Sequence, residues 1–211
     1  METSKSHWEN VYQTKKSDQV SWFQSHLSKS LELIEGSGLH KNARMIDVGG
    51  GASTLADDLL AKDYSDLTVL DISGEALNQS KKRLGEKSKQ IAWIEDDILK
   101  ADLPKRAFDL WHDRAVFHFL TKAEARKAYL EVLKQSLKPG GFVMIASFSL
   151  EGPPKCSGLE VMRYSPQTMS QELGPGFSLI KTCSERHQTP FDTFQNFVYC
   201  LFIFRLFPTK Q

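Results

Sequence analysis

The 211-residue sequence predicts an α/β fold built on a doubly wound, mostly parallel sheet. Short β-like runs alternate with stretches of helical periodicity, which is typical of a parallel sheet with helices on both faces. The run Met45–Val48 ends in three consecutive glycines, Gly49–Gly51, and an amphipathic stretch follows. This order predicts a strand, a tight turn and the start of a helix. A composition of 40% hydrophobic and 25% charged residues is that of a globular chain.

Seven strands are expected from these runs. The first five are Arg44–Val48, Leu67–Leu70, Ile91–Ile94, Phe108–Trp111 and Phe142–Ser147. Two later runs, Phe177–Cys183 and Gln195–Phe204, have no helical pattern between them. We therefore expect the last two strands to form an antiparallel hairpin.

Capping residues mark where the helices between the strands begin. These signals are Ser53, Ser73, the capping box Thr121-Lys122-Ala123-Glu124, and Ser165 followed by Pro166. Helices are also predicted at Trp8–Tyr12 and Ser28–Glu35, where they would cover the sheet. A segment rich in glycine and proline, Glu151–Tyr164, is expected to be a loop.

Length and charge favour one domain, 1–211. We divide it into covering helices or a lid (1–40), a cofactor-binding core (41–150), and a segment with a substrate loop, short helix and hairpin (151–211). The net charge of +1 comes from well-mixed signs, so no nucleic-acid partner is expected. No apolar run is long enough to cross a membrane, and the polar stretch from Met1 to about Gln19 does not resemble a signal peptide.

The three cysteines have no Cys-x-x-Cys spacing, which fits a reducing compartment, so a cytoplasmic location is expected. No cluster of metal-ligand spacing occurs, so no metal is expected. A monomer is the default assumption, because the sequence carries no signal of oligomeric state.

The glycine turn predicts a site for a nucleotide-like ligand, and Asp47 narrows the choice. Glycines let a ligand approach backbone atoms that any side chain would cover. A dinucleotide fingerprint is normally apolar at the position of Asp47, and it needs a small residue where Thr54 stands. A carboxylate there would repel a pyrophosphate and attract a cation. S-adenosylmethionine carries an ammonium and a sulfonium but no phosphate, so it fits Gly49, Gly50 and Gly51 better.

Two further acids follow strands at the same edge of the sheet. Asp71 lies 20 residues after Gly51, where a carboxylate can accept hydrogen bonds from both ribose hydroxyl groups. Ile72 is then expected beside the adenine ring. After the third strand, Asp97 is placed to accept from the adenine amino group, with Ile98 against the ring.

These residues resemble the motifs of class I S-adenosylmethionine-dependent methyltransferases. The matching elements, which span roughly Arg44 to Ser147, are Asp47-x-Gly49-x-Gly51, Asp71, Asp97-Ile98 and Leu137-Lys138-Pro139-Gly140-Gly141. The resemblance implies a Rossmann-like seven-stranded sheet of order 3-2-1-4-5-7-6 with strand 7 antiparallel. It also implies S-adenosyl-L-methionine as the cofactor and a methyl acceptor as the partner.

The segment after the fourth strand is the candidate acceptor site. We expect that strand to end near Trp111, so that His112, Asp113 and Arg114 lie at the mouth of the site, which in this superfamily faces the transferred methyl group. His112 or Asp113 can take a proton or hold the nucleophile. The alternative is that His112 and Asp113 only order the loop, with Arg114 paired to Asp113.

Aromatic residues before the sheet have two interpretations. Tyr12 and Trp22 can form a lid that closes the cofactor site from water, and an aromatic face attracts a sulfonium. Alternatively, these rings only pack the covering helices.

Different segments resemble different methyltransferases. Asp113-Arg114-Ala115, with the later Gly152-Pro153-Pro154, resembles thiopurine and thiol methyltransferases. The opening His7-Trp8-x-x-Val11-Tyr12, followed by Trp22-Phe23, resembles protein-lysine methyltransferases that act on elongation factors. The leading hypothesis is therefore methyl transfer to an N or S nucleophile of a small molecule. A protein-lysine methyltransferase, and a binding module without catalysis, are the alternatives.

Overall fold

The fold is a seven-stranded sheet with helices on both faces. A computed structural model describes residues 2–205, with side chains from residue 5 onward. The sheet has the order 3-2-1-4-5-7-6, and strand 7 is antiparallel to both of its neighbours. The predicted fold class is therefore confirmed; residues 206–211 of the predicted last segment lie outside the described residues.

The strands agree with the predicted runs in place and differ mainly in length. They are β1 (Arg44–Val48), β2 (Asp66–Asp71), β3 (Ile91–Glu95), β4 (Phe108–Arg114), β5 (Leu137–Phe148), β6 (Phe177–Gln188) and β7 (Phe194–Phe204). The α-helices are α1 (Glu2–Thr14), α2 (Ser28–Gly36), α3 (Leu55–Ala61), α4 (Gly74–Leu84), α5 (Ala123–Ser136) and α6 (Pro166–Leu173). None of the helices within residues 2–205 is long and apolar enough to cross a membrane.

Side chains of each strand alternate between two hydrophobic cores. In β1, Met45 packs with residues of α2 and α3, whereas Ile46 packs on the opposite face with residues of α5 and α6. Because successive strand residues point to opposite faces, this alternation fixes which polar residues share a face. Asp47 therefore lies on the α2–α3 face.

The prediction that the fourth strand ends near Trp111 is wrong, because β4 continues to Arg114. Within β4, His112 pairs with Asp47 of β1 and Asp113 with Val48, so both lie inside the parallel ladder. His112 and Arg114 project to the face of Asp47, and Asp113 projects to the other. The three residues therefore do not form one group at the mouth of the site.

Two of the four predicted helix starts have the expected cap and two do not; at α3 the N-cap is Thr54 instead of Ser53, and it makes no side-chain cap hydrogen bond. Ser73 Oγ accepts a hydrogen bond from the Ala76 amide, and Ser165 Oγ accepts one from the Thr168 amide. By contrast, Lys122 occupies the N-cap position of α5 without a side-chain hydrogen bond, so the capping box that begins at Thr121 is not formed.

The connections after β4 and β5 carry features that the sequence patterns did not predict. Phe117–Phe119 forms a 3-10 turn after β4. The predicted loop Glu151–Tyr164 contains a small hairpin, in which Lys155–Cys156 pairs with Leu159–Glu160. This hairpin carries Cys156 into the wall of a cavity of about 400 Å³, which is described next.

Candidate functional site

The glycine turn after β1 brings two buried carboxylates against the backbone. The Gly49 amide donates to the Leu70 carbonyl oxygen at 2.7 Å, and the Gly51 amide donates to Asp71 Oδ2 at 3.0 Å. Gly49 has φ +69°, in the left-handed region that favours glycine. A Cβ atom at Gly51 would collide with the Asp71 carboxylate, and one at Gly50 would collide with that of Asp47. The turn therefore requires glycine for both conformation and space.

A cavity of about 400 Å³ opens beside this turn, at the carboxyl ends of β1, β2, β3 and β4. It is lined by Trp8, Tyr12, Trp22, Val48, Gly49, Leu70, Asp71, Ile72, Asp96, Asp97, Ile98, Leu99, Arg114, Ala115, Val116, Phe119, Leu120, Thr121, Lys122, Ala125 and Cys156. The structure thus brings Asp71, Ile72, Asp97 and Ile98 together around one space. In open α/β sheets, this edge is where ligands bind.

A smaller cavity of about 50 Å³ adjoins the first one across the glycine turn. Tyr12, Trp22, Gly49 and Arg114 line both spaces. The smaller cavity also contacts Gly50, Asp47 and His112. Most of the predicted ligand residues therefore line one of two adjoining cavities, and four of them or their neighbours line both.

Asp71 lies in a largely dehydrated environment at the end of β2. Its Oδ1 accepts from the Ser73 amide at 2.9 Å and its Oδ2 from the Gly51 amide. Burial raises the pKa of this carboxyl to about 7, and the two backbone hydrogen bonds oppose that rise. The carboxyl is thus fixed in orientation by the backbone and faces the large cavity.

Asp97 and Ile98 take the predicted places after β3. Asp97 Oδ1 accepts from the Leu99 amide at 3.0 Å, which orients the half-buried carboxylate at the cavity wall. Ile98 is buried beside it.

Asp47 and His112 form a buried pair on the α2–α3 face. His112 Nδ1 lies 2.7 Å from Asp47 Oδ1, and His112 Nε2 lies 2.8 Å from Ser30 Oγ. Both ring nitrogens are thus engaged. The second carboxylate oxygen, Asp47 Oδ2, is buried and has no hydrogen-bond partner among the described residues.

Asp113 belongs to a separate hydrogen-bond network on the α5 face. Tyr129 Oη donates to Asp113 Oδ2 at 2.6 Å, and the amides of Val116 and Phe117 donate to the same carboxylate. Trp111 Nε1 in turn donates to Tyr129 Oη at 2.8 Å. Burial raises the pKa of Asp113 to about 6. This carboxylate ties the chain after β4 to α5, and Arg114 is not its hydrogen-bond partner.

The N-terminal helix is anchored at the site by an acid that the sequence analysis missed. Glu9 accepts from the Gly74 amide at 2.8 Å and from the Glu75 amide at 3.2 Å, at the N-terminus of α4. Carboxylates are favourable at this end of a helix. The contact fixes α1 so that Trp8 and Tyr12 face the large cavity. The one signal in the sequence for this contact is that Glu9 directly follows Trp8.

A second group of contacts holds the segment after α1, which carries Trp22. Gln24 Nε2 donates to Glu185 Oε1 at 2.7 Å, and His187 Nε2 lies 2.8 Å from the Ser21 carbonyl oxygen. Arg114 Nη1 donates to the Trp22 carbonyl oxygen at 3.0 Å. These partners are separated by up to 166 positions, and no local sequence pattern predicts them.

The aromatic rings near the opening contact one another and not only the sheet. Trp8 lies edge-on to Trp22 and Phe119, with ring centroids 5.7 and 5.1 Å apart. Trp22 Nε1 donates to Tyr12 Oη at 3.2 Å. These side chains form an aromatic wall over the large cavity. Within the described residues, no group of three or more His, Cys, Asp or Glu is arranged to hold a metal ion.

The chain is similar to known methyltransferases in sequence and in fold. Residues 46–143, a little less than half of the chain, match a family model described as a methyltransferase domain. EEF1A lysine methyltransferase 2 of Danio rerio is 25% identical over 167 residues, covering 76% of this chain and 66% of the relative. The chain thus spans just under two thirds of that relative's length.

Two solved structures share the fold at low identity. One, from a study of the conversion of a disulfide bond into a thioacetal group in echinomycin biosynthesis, has a TM-score of 0.78 at 16% identity, covering 97% of this chain and 94% of that one. The other is the N-methyltransferase NodS of Bradyrhizobium japonicum WM9 in complex with S-adenosyl-L-homocysteine. It has a TM-score of 0.67 at 16% identity, covering 93% of this chain and 97% of that one.

Proposed function

We propose that the chain is a class I S-adenosylmethionine-dependent methyltransferase and that it transfers the cofactor's methyl group to a nitrogen or sulfur nucleophile of a small molecule. The observation that carries the proposal is the convergence of Asp71, Asp97 and Gly49 on one cavity, beside an aromatic wall. S-adenosyl-L-methionine is the cofactor of this domain. When bound, it supplies a methyl group made electrophilic by the sulfonium.

The residues present fit this cofactor. Asp71 offers carboxylate oxygens to a ribose diol, and its backbone contacts hold it in place before the ligand arrives. Asp97 and Ile98 offer an acceptor and an apolar surface to an adenine ring. The unpartnered Asp47 Oδ2 borders the smaller cavity, where it can accept from an ammonium group.

The chain's contribution to the reaction is alignment and exclusion of water. A sulfonium methyl is already a good electrophile, so the protein mainly needs to hold the acceptor in line and keep it deprotonated. Tyr12 and Trp22, held by Glu9 and Arg114 contacts, close the opening. We assign His112 and Asp113 to positioning, because both are buried and engaged in hydrogen bonds within the fold.

The aromatic wall of the large cavity favours an uncharged nucleophile. Among the described residues that line the large cavity, the carboxylates are Asp71, Asp96 and Asp97, all at the ends of β2 and β3. The aromatic wall is accompanied by Cys156, whose thiol stays protonated because burial raises its pKa to about 12. An uncharged heterocycle or small thiol can pack against this apolar surface without burying a charge of its own.

A protein lysine is the alternative acceptor. Trp8, Tyr12, Trp22 and Phe119 present four rings, and aromatic faces attract an ammonium. The similarity to a lysine methyltransferase is consistent with that reading. A third possibility is a module that binds the cofactor without catalysis.

Calorimetry with S-adenosylmethionine, S-adenosylhomocysteine and NAD tests the cofactor site. We expect binding of the first two and none of NAD; failure of both adenosyl ligands to bind would refute the proposal. Transfer of labelled methyl groups into a cell extract, separated by size, then divides the acceptors. Label in the small-molecule fraction supports the proposal, label in protein supports the lysine alternative, and binding without transfer supports the inactive module.

A further inference from the structure

We propose that Arg114 binds the α-carboxylate of the cofactor's methionine moiety. The sequence placed this residue with the methyl acceptor, whereas the geometry points to the cofactor. The inference rests on the proposed function, because it requires an adenosyl ligand in the two adjoining cavities.

The position of Arg114 is set by the length of β4. As the last residue of that strand, it projects to the same face as His112, and therefore to the face of Asp47. Its side chain is 6% exposed and lines both the large and the small cavity. It thus lies where the large cavity adjoins the smaller one, beside the Gly49–Gly50 backbone.

The guanidinium group has donors to spare. Its Nε donates to Tyr199 Oη at 3.0 Å, and its Nη1 donates to the Trp22 carbonyl oxygen at 3.0 Å. Nη2 is buried and has no hydrogen-bond partner among the described residues. A buried cationic nitrogen without a partner is costly, so a native site of this kind calls for an anionic ligand.

The nearest acid does not satisfy this nitrogen. Glu185 Oε2 is 3.7 Å from Arg114 Nη2, which is too long for a hydrogen bond. The same carboxylate already accepts from Tyr199 Oη at 2.7 Å and from Gln24 Nε2 at 2.7 Å. Glu185 is therefore an ion-pair partner that leaves Nη2 without a hydrogen bond, and a second carboxylate can supply that acceptor.

The small cavity offers the opposite charge as well. Asp47 Oδ2 is buried, borders this space and lacks a hydrogen-bond partner among the described residues. One unpartnered anionic oxygen and one unpartnered cationic nitrogen around the same cavity match a zwitterion. An α-amino acid group presents an ammonium and a carboxylate together, so the methionine end of the cofactor satisfies both.

Ligand truncation separates this role from a structural one. S-adenosylhomocysteine carries the amino acid group, whereas 5′-methylthioadenosine keeps the adenosine and the sulfur and lacks that group. Calorimetry with both ligands on the wild type, Arg114→Met and the control Arg44→Met measures the contribution. Arg44 lies at the end of β1 that is remote from the glycine turn, where it pairs with Asp66. Its substitution therefore leaves both cavities unchanged.

We expect Arg114→Met to weaken S-adenosylhomocysteine binding about 10- to 100-fold, as for a lost hydrogen bond to a charged group, with methylthioadenosine affinity within about twofold of wild type. Arg44→Met should bind both as the wild type does. Equal weakening of both ligands would overturn the inference, because it would mean that Arg114 acts only by holding Trp22. Unchanged affinity for S-adenosylhomocysteine would also overturn the inference, and it would favour the earlier prediction that Arg114 contacts the methyl acceptor. A wild type that binds neither ligand refutes the proposed function itself.

Discussion

The affinity for S-adenosylhomocysteine should depend on pH through the carboxyl group of Asp71. Burial raises the pKa of this group from 3.8 to about 7, so the ligand-free protein is about half protonated there near neutrality. A proton turns one oxygen from an acceptor into a donor. The ribose diol then loses one of the two acceptors that the ionised carboxylate offers.

The magnitude follows from proton linkage. Below about pH 7, Asp71 of the free protein carries a proton that must be released when the ligand binds. Log Kd therefore rises by at most one unit for each unit by which the pH falls. At pH 6, one unit below the raised pKa, binding is expected to be about tenfold weaker than on the plateau above pH 8. That factor corresponds to about 1.4 kcal/mol.

Calorimetry between pH 5.5 and 8.5, in pairs of buffers with different ionisation enthalpies, measures both the affinity and the proton release. Asp71→Asn keeps the side-chain shape without titrating, so its binding should be weaker and nearly independent of pH. A flat wild-type profile would refute the reasoning. An unchanged slope in Asp71→Asn would assign the dependence to another group, such as Asp113, whose pKa is raised to about 6.

Three other substitutions test separate parts of the structure. Tyr129→Phe removes the hydroxyl hydrogen bond to the buried Asp113 carboxylate and leaves Trp111 Nε1 without its acceptor; calorimetric unfolding should show a loss of about 3–5 kcal/mol, or about 10 °C or more in Tm, and an unchanged Tm would contradict the network. Gly51→Ala places a methyl group against the Asp71 carboxylate and should weaken S-adenosylhomocysteine binding at least about tenfold, whereas Gly36→Ala, in open space, should not. His118 is buried and burial lowers its pKa to about 3, so the unfolded chain takes up the proton first and stability falls as pH drops below about 6.5. His118→Phe should reduce that fall between pH 7 and 5 in thermal unfolding, and an equal fall would show that other groups cause it.

The placement of the three acids at one edge of the sheet could be predicted from the sequence because its signals are local. Asp47, Asp71 and Asp97 each follow an apolar run, and the carboxyl ends of parallel strands meet at one edge. Glycines mark the turn directly, since a Cβ atom at Gly51 would collide with Asp71. These positions depend on residues within a few steps along the chain.

The end of β4 could not be read in the same way. Three polar residues, His112, Asp113 and Arg114, break the apolar run and so predict that the strand stops at Trp111. The structure continues the strand because partners from distant segments satisfy these groups. Asp47 contacts His112 at a separation of 65 positions, and Tyr199 contacts Arg114 at 85. The burial of a polar side chain is decided by partners that no local pattern contains.

The hydrogen bonds between the last two strands and the Trp22 segment have a consequence for folding during protein synthesis. Ser21 and Gln24 depend on Glu185, His187 and Gln195, all in β6 and β7. Chains emerge from the ribosome N-terminus first, so the opening segment is made long before the residues that hold it. A nascent chain stopped before β6 contains the residues that line the large cavity, but it lacks the hairpin residues that contact the Trp22 segment. We therefore expect the Trp22 segment to be held over the large cavity only after residues 177–204 have been synthesised and have formed the hairpin.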